Sequence, residues 1–185
     1  FPLILCIHIK FSLLQRVLDI LMSLGPTNFK VVRRMLSGEL LDFLGYYAYN
    51  RANSPDVKPD VQVPNTPALH DDPAMAVLLH SRLYDMKQYT GEDLKPTYSY
   101  LRVYKNGDIL HRHTDKEACE YSVSITLKRE RKDEIWPLYL ETDQVYETLL
   151  EEGDALIYKG IENPHWRDKF EGERLAQVFL HYVRR

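Results

Sequence analysis

The chain changes rhythm near residue 94. Before that point apolar positions recur every third or fourth residue; after it they recur every second. In the first half, Ser37 precedes GELLDFLGYYAYNRA, in which Leu40, Leu41, Phe43 and Leu44 keep helical spacing and Ser37 stands where a cap belongs. Residues 53–67 are polar, carry prolines and have no period, which predicts a loop. Residues 72–89 return to helical spacing through Ala76, Leu79, Leu83 and Met86. Pro73 suits the first turn of that helix, and Thr90 and Gly91 its end. Beyond residue 94, TYSYLRVYK is β-branched and aromatic, and NGD at 106–108 marks a turn. YSVSITLK, WPLYLE, VYETLL, ALIYKG and RLAQVFLHYV follow as further strands, with the charged KRERKDE as a solvated loop between two of them. Short strands behind a helical first half predict an α+β, mainly β chain: an antiparallel sandwich or barrel flanked by N-terminal helices.

The bulk properties narrow the function. At 185 residues the chain suits one domain. Its net charge of -3 provides no broad basic field, so nucleic acid is not an expected partner. Cys6 and Cys119 form neither a CxxC nor a disulfide framework, which favours a reducing, cytoplasmic setting. The apolar start, residues 1–21, is interrupted by Lys10, Arg16 and Asp19 and has no signal-peptide layout, so no membrane association is expected. Met22 reads as a start. Residues 1–21 are therefore expected to be an N-terminal extension foreign to the native protein, the alternative being a helix packed on the domain. Residues 22–185 then form a single domain, with helical support over 28–90 and a β core over 95–185.

The chemistry concentrates in four residues. His113 and Asp115 sit two apart in LHRHTDKE, His165 follows in NPHWRD, and Arg174 opens RLAQVFLHYV. Residues i and i+2 of a strand share a face, so His113 and Asp115 can reach one ion. Two imidazoles and a carboxylate with open positions are a ligand set for non-haem Fe(II). An arginine opening an apolar strand needs an anion if it faces a barrel interior, and its planar fork suits a carboxylate. The plainer readings are a chance HxD, a surface histidine after Pro164 and a solvated arginine; the joint spacing argues against them. His111 is a weaker alternative ligand. His70, His80 and His181 have no partner at a useful spacing, and no GxSxG, P-loop or GxGxxG motif occurs.

RVYKNGDILHRHTD, GDALIYKGIENPHWRD and GERLAQVFLHYV together resemble the 2-oxoglutarate- and Fe(II)-dependent dioxygenases, on the prolyl-4-hydroxylase-like side. The resemblance covers residues 28–185 and is strong from Tyr98 onward. It implies a double-stranded β-helix, or jelly roll. It implies that His113, Asp115 and His165 hold Fe(II) and that Arg174 pairs with the distal carboxylate of 2-oxoglutarate. Tyr104 and, more loosely, Thr126 stand at positions that help bind the cosubstrate in this family. The implied reaction is hydroxylation by O2, with succinate and CO2 released and ascorbate as an optional reductant. The substrate is left open: a prolyl residue, another protein side chain or a small molecule. Residues 53–67 and 128–134 are expected to frame the entrance and set specificity. Two other readings stay open, a cupin-like metalloenzyme without 2-oxoglutarate and a non-catalytic jelly-roll binding module.

Overall fold

The computed structural model describes residues 24, 27–64 and 66–185, so the expectation about residues 1–21 lies outside the described part. Two antiparallel sheets face each other, with three helices against the outer face of the larger one. The larger sheet contains β1 (Phe29–Val32), β2 (Lys58–Pro59), β3 (Pro67–His70), β4 (Leu94–Lys105), β6 (Tyr121–Arg129), β9 (Ala155–Tyr158) and β11 (Arg174–Arg184). Their order across the sheet is β1-β9-β6-β11-β4-β3-β2. The smaller sheet contains β5 (Leu110–His113), β7 (Leu138–Glu141), β8 (Val145–Thr148) and β10 (His165–Arg167), in the order β5-β10-β7-β8.

Alternation along each strand of the large sheet divides its side chains between two cores. Leu101, Val103, Val123, Ile125, Val178 and Leu180 point outward and bury against helix residues such as Leu44, Ala48, Met75, Leu79 and Met86. Tyr104, Leu156, Tyr158 and Leu175 point inward, where they meet Leu110, Leu138 and Leu140 of the small sheet, with Trp136 and Phe170 closing one end. β6 is central and buried on both faces, which explains a run of apolar and small hydroxyl residues with little charge.

The helices are α1 (Gly38–Ala52), α2 (Pro73–Ser81) and α3 (Leu83–Thr90). Ser37 is extended and makes no side-chain capping bond. Asp72 caps α2 instead, accepting from the Ala74 amide at 3.1 Å ahead of Pro73. Its other oxygen holds Tyr47 and Arg51 of α1, both at 3.0 Å. Residues 72–89 read as one helix from their period, but the chain breaks at Arg82 and restarts. α3 ends where Gly91 takes a left-handed φ of 73°, as a glycine stop does. Residues 53–67 are mostly irregular but contribute β2 and the start of β3. Among the described residues no helix is long and apolar enough to cross a membrane.

One hairpin positions the site. β4 turns at Asn106 and Gly107 (φ 90°), and the buried Asp108 carboxylate ties the turn together. It accepts from the Lys105 amide at 2.8 Å and from the Thr66 hydroxyl. β5 leaves this turn into the small sheet and delivers residues 110–115.

Candidate metal centre

β5 pairs antiparallel with β10, and His113 stands directly opposite His165. The two rings lie 4.3 Å apart, centroid to centroid. Asp115, just past the end of β5, turns back towards them, its Oδ1 3.7 Å from His113 Nε2 and 3.6 Å from His165 Nε2. One ligand atom from each residue falls within 4.8 Å of the others.

Each group in the cluster is oriented by a second bond. His113 Nδ1 lies 2.7 Å from the His111 carbonyl and His165 Nδ1 lies 3.0 Å from the Asn163 carbonyl. A carbonyl only accepts, so each Nδ1 carries the proton and each Nε2 offers a lone pair inward. Those lone pairs accept from the Gln62 amide (2.9 Å) and from the Tyr158 hydroxyl (3.3 Å). Burial lowers the pKa of His165, which keeps the ring neutral and able to ligate. Asp115 Oδ2 accepts from Ser122 Oγ at 2.7 Å, leaving Oδ1 to the imidazoles. Ser122 in turn lies 3.0 Å from His181 Nδ1. Burial pulls His181 down to about 4, so at neutral pH it is an uncharged donor to Ser122. Gly160 completes the support: its carbonyl accepts from the Asp115 amide at 2.9 Å, and it is packed too tightly for any side chain. Two neutral imidazole nitrogens and one carboxylate oxygen, each pre-oriented, suit a divalent cation of intermediate softness.

The triad opens into a cavity of about 460 Å³, whose wall includes Tyr98, Tyr100, Arg102, Leu110, Tyr158, Phe179 and His181. Asp60, Val61 and Gln62 of the segment 53–67 also line it. The charged segment 128–134 lies elsewhere: Lys128, Arg129 and Glu130 border a separate cleft beside α1.

The other expected site residues are placed as follows. Arg174 does not reach the cavity. It pairs with Glu130 at 2.7 Å and lies over the Tyr49 ring at 4.4 Å, on the helix side of the sheet. The inward positions of β11 belong to Leu175, Gln177, Phe179 and His181. One step in a strand reverses the face, so counting residues from His165 does not give the side. Tyr104 is fully buried between the sheets against Trp136, its hydroxyl accepting from Arg102 at 3.3 Å. Thr126 is buried and donates to Gln177 at 3.2 Å, away from the triad. His111 is exposed and offers only its carbonyl to the site.

His181 and Arg102 are among the residues that escaped the sequence reading. His181, read as remote, is brought beside the triad because its strand runs antiparallel to β6, which sets it opposite Ser122. Arg102 on β4 shares the inward face with Tyr98, Tyr100 and Tyr104. The alternation TYSYLRVY carried that signal, with an arginine in an otherwise aromatic inward row.

No protein-family model and no curated protein matches the chain. Solved structures do. A prolyl hydroxylase from Trichoplax adhaerens, in complex with a hypoxia-inducible-factor peptide, superimposes with a TM-score of 0.75 at 14% identity, over 94% of this chain and 93% of that one. A Pseudomonas putida prolyl-4-hydroxylase gives 0.71 at 15% identity, over 88% and 95%. This fold is that of the prolyl-4-hydroxylase-like 2-oxoglutarate/Fe(II) oxygenases. HygX from Streptomyces hygroscopicus, solved with nickel and 2-oxoglutarate, shares it at a TM-score of 0.68 and 12% identity, over 87% of this chain and 84% of that one.

Proposed function

We propose that this chain is an Fe(II)- and 2-oxoglutarate-dependent dioxygenase that hydroxylates its substrate while 2-oxoglutarate is converted to succinate and CO2. The observation that carries the reading is the convergence of His113 Nε2, His165 Nε2 and Asp115 Oδ1 on one point of a cavity in this fold. These three atoms would hold the iron. Bound iron with its 2-oxo acid would supply the activation of O2, and ascorbate would serve as a reductant. The work left to the chain is positional. His111 and Asn163 carbonyls fix the imidazole tautomers, Ser122 fixes the carboxylate, and Tyr158 and Phe179 line the wall that keeps the site from bulk water.

The structural relatives act on different chemistry: a prolyl hydroxylase binds a peptide and HygX binds hygromycin B, so the fold leaves the substrate class of this chain open. Residues 53–67, of which Asp60, Val61 and Gln62 line the cavity, are the stronger candidate for selecting it, and 128–134, which border a separate cleft, the weaker. A domain over residues 22–185 and a cytoplasmic setting belong to the same reading. A metalloenzyme that does not use 2-oxoglutarate is the second reading, and the placement of Arg174 outside the cavity favours it.

The test is succinate formation from 2-oxoglutarate by Fe(II)-loaded protein exposed to air, beside metal titration of the native protein and of a His113→Ala, Asp115→Ala double variant. We expect stoichiometric binding and slow succinate release by the native protein alone. Stoichiometric metal binding by the double variant would overturn the ligand assignment. No succinate, with no 2-oxoglutarate-dependent absorbance of the Fe(II) protein, would overturn the use of 2-oxoglutarate.

A further inference from the structure

We propose that Asp115, Cys119 and His181 form a second cation site, suited to a thiophilic divalent ion such as Zn(II), and that the Asp115 carboxylate bridges it to the centre formed with His113 and His165. One ligand atom from each of these three residues lies within 4.8 Å of the others. All three line the triad cavity, so an ion that enters the cavity can reach them. Thiolate sulfur, imidazole nitrogen and carboxylate oxygen are the donors of zinc sites, whereas the nitrogen and oxygen donors of the triad suit iron. The second site needs Asp115 but neither iron nor 2-oxoglutarate, and so goes beyond the function proposed above.

The plainer reading of a buried cysteine is a small apolar filler. Cys119 has the wrong neighbours for that. Its Sγ lies 2.9 Å from the Tyr98 hydroxyl, with the His181 imidazole and the Asp115 carboxylate close by. A thiolate only accepts, so with an ion bound the Tyr98 hydroxyl donates to the sulfur and steadies it. The Tyr98 ring also packs on His181, centroids 4.6 Å apart, and stacks on His70 at 4.5 Å.

The donors come from three elements held at fixed spacing. Cys119 ends the 3-10 turn Glu117–Cys119, its amide donating to the Lys116 carbonyl at 2.8 Å. His181 stands opposite Ser122 in the β11–β6 register. The Thr97 hydroxyl of β4 ties these two elements together, 2.7 Å from the Ala118 carbonyl and 3.0 Å from the His181 carbonyl. Asp115 turns Oδ1 to His113 and His165, and Oδ2 to Ser122, which itself bonds His181 Nδ1. The two carboxylate oxygens thus face different donor sets, as in a carboxylate that bridges a pair of ions.

The test is equilibrium dialysis and absorbance titration with Co(II), whose bond to a thiolate gives a near-ultraviolet charge-transfer band that nitrogen and oxygen ligands do not give. We expect the native protein to take up two Co(II) per chain and to show the band. Cys119→Ser should take up one and lose the band, His113→Ala should take up one and keep it, and Asp115→Ala should lose both ions. Cys6→Ser controls for the other cysteine of the chain and should match the native protein. One Co(II) per native chain without the band overturns the inference and leaves the proposed function standing. A band kept by Cys119→Ser, a band lost in His113→Ala or Cys6→Ser, or two ions retained by Asp115→Ala also overturns it. No Co(II) uptake by the native protein overturns the triad assignment as well. Should Cys119→Ser fail to fold, Cys6→Ser decides alone, its remaining thiol being Cys119: two ions with the band support the second site, and one ion without it sinks the idea.

Discussion

Gly160→Ala is the most informative single change at the metal centre, because it displaces a ligand without replacing it. A Cβ at residue 160 would press on Asp115 Oδ2 and lie 2.5 Å from the Cys119 carbonyl and 2.6 Å from Ser122 Oγ. The carbonyl is backbone and cannot swing away, so Asp115 and Ser122 must give. Overpacking of this kind costs about 1–3 kcal/mol of stability. Loss of the Ser122–Asp115 alignment should weaken metal binding by roughly 10- to 100-fold, as removal of an orienting partner does, or about 1.4–2.7 kcal/mol. The assay is Mn(II) calorimetry beside urea unfolding of the metal-free protein. Gly45→Ala is the comparison: its Cβ would meet Lys128 Cβ at 2.9 Å, on α1 and remote from the triad. It should lose stability and keep its metal. Native-like Mn(II) affinity in Gly160→Ala, or an equal loss in Gly45→Ala, would refute the assignment of Asp115 as a ligand positioned by Gly160.

Two further outcomes are expected. His181 has a folded pKa of about 4, below the ordinary value near 6.5, so the unfolded chain binds the extra proton first. Stability should fall as pH drops from about 6.5 towards 4, by about 3 kcal/mol from this group; urea unfolding of metal-free His181→Gln should show a flatter profile, and parallel profiles would sink the idea. Asp108→Ala strips the β4–β5 turn of an acceptor used by Lys105 and Thr66, and two bonds to a buried carboxylate predict a loss of about 2–4 kcal/mol. A change under about 0.5 kcal/mol in its urea midpoint analysis would show that the turn does not need the carboxylate.

Much of the fold was legible because long elements repeat their signal. β4, β6 and β11 alternate over nine or more residues, and α1 holds its period over fifteen. The short strands were not legible. β5 and β10 have four and three residues, rich in histidine and arginine, and only their pairing across the small sheet makes them strands. The break at Arg82 was hidden because Leu83 and Met86 stay in phase with the preceding turn. At the site, His113 and Asp115 could be placed on one face by local geometry, whereas His165 needed a partner strand the sequence does not announce. Arg174 shows the limit most clearly. Its spacing from His165 looked right, but β10 ends at Arg167 and the irregular residues before β11 set which face each later side chain takes. Arg102 was overlooked because an arginine among tyrosines reads as a surface strand until the sheet is closed.

The two imidazoles are each locked by a carbonyl two residues earlier in the same short stretch, one on each side of the β5–β10 pair. Each imidazole therefore takes its orientation from local chain alone, whereas Asp115 is held by Ser122 and Gly160 from other strands and loops, and neither half holds enough donors to retain an ion. The ion can be gripped only after strands more than fifty residues apart in sequence have met. Metal then acts late in assembly: it should leave the refolding rate unchanged and slow unfolding, adding stability in proportion to the logarithm of its concentration. The centre would behave as a latch on a finished barrel, in contrast to domains whose metal is the seed around which the chain folds.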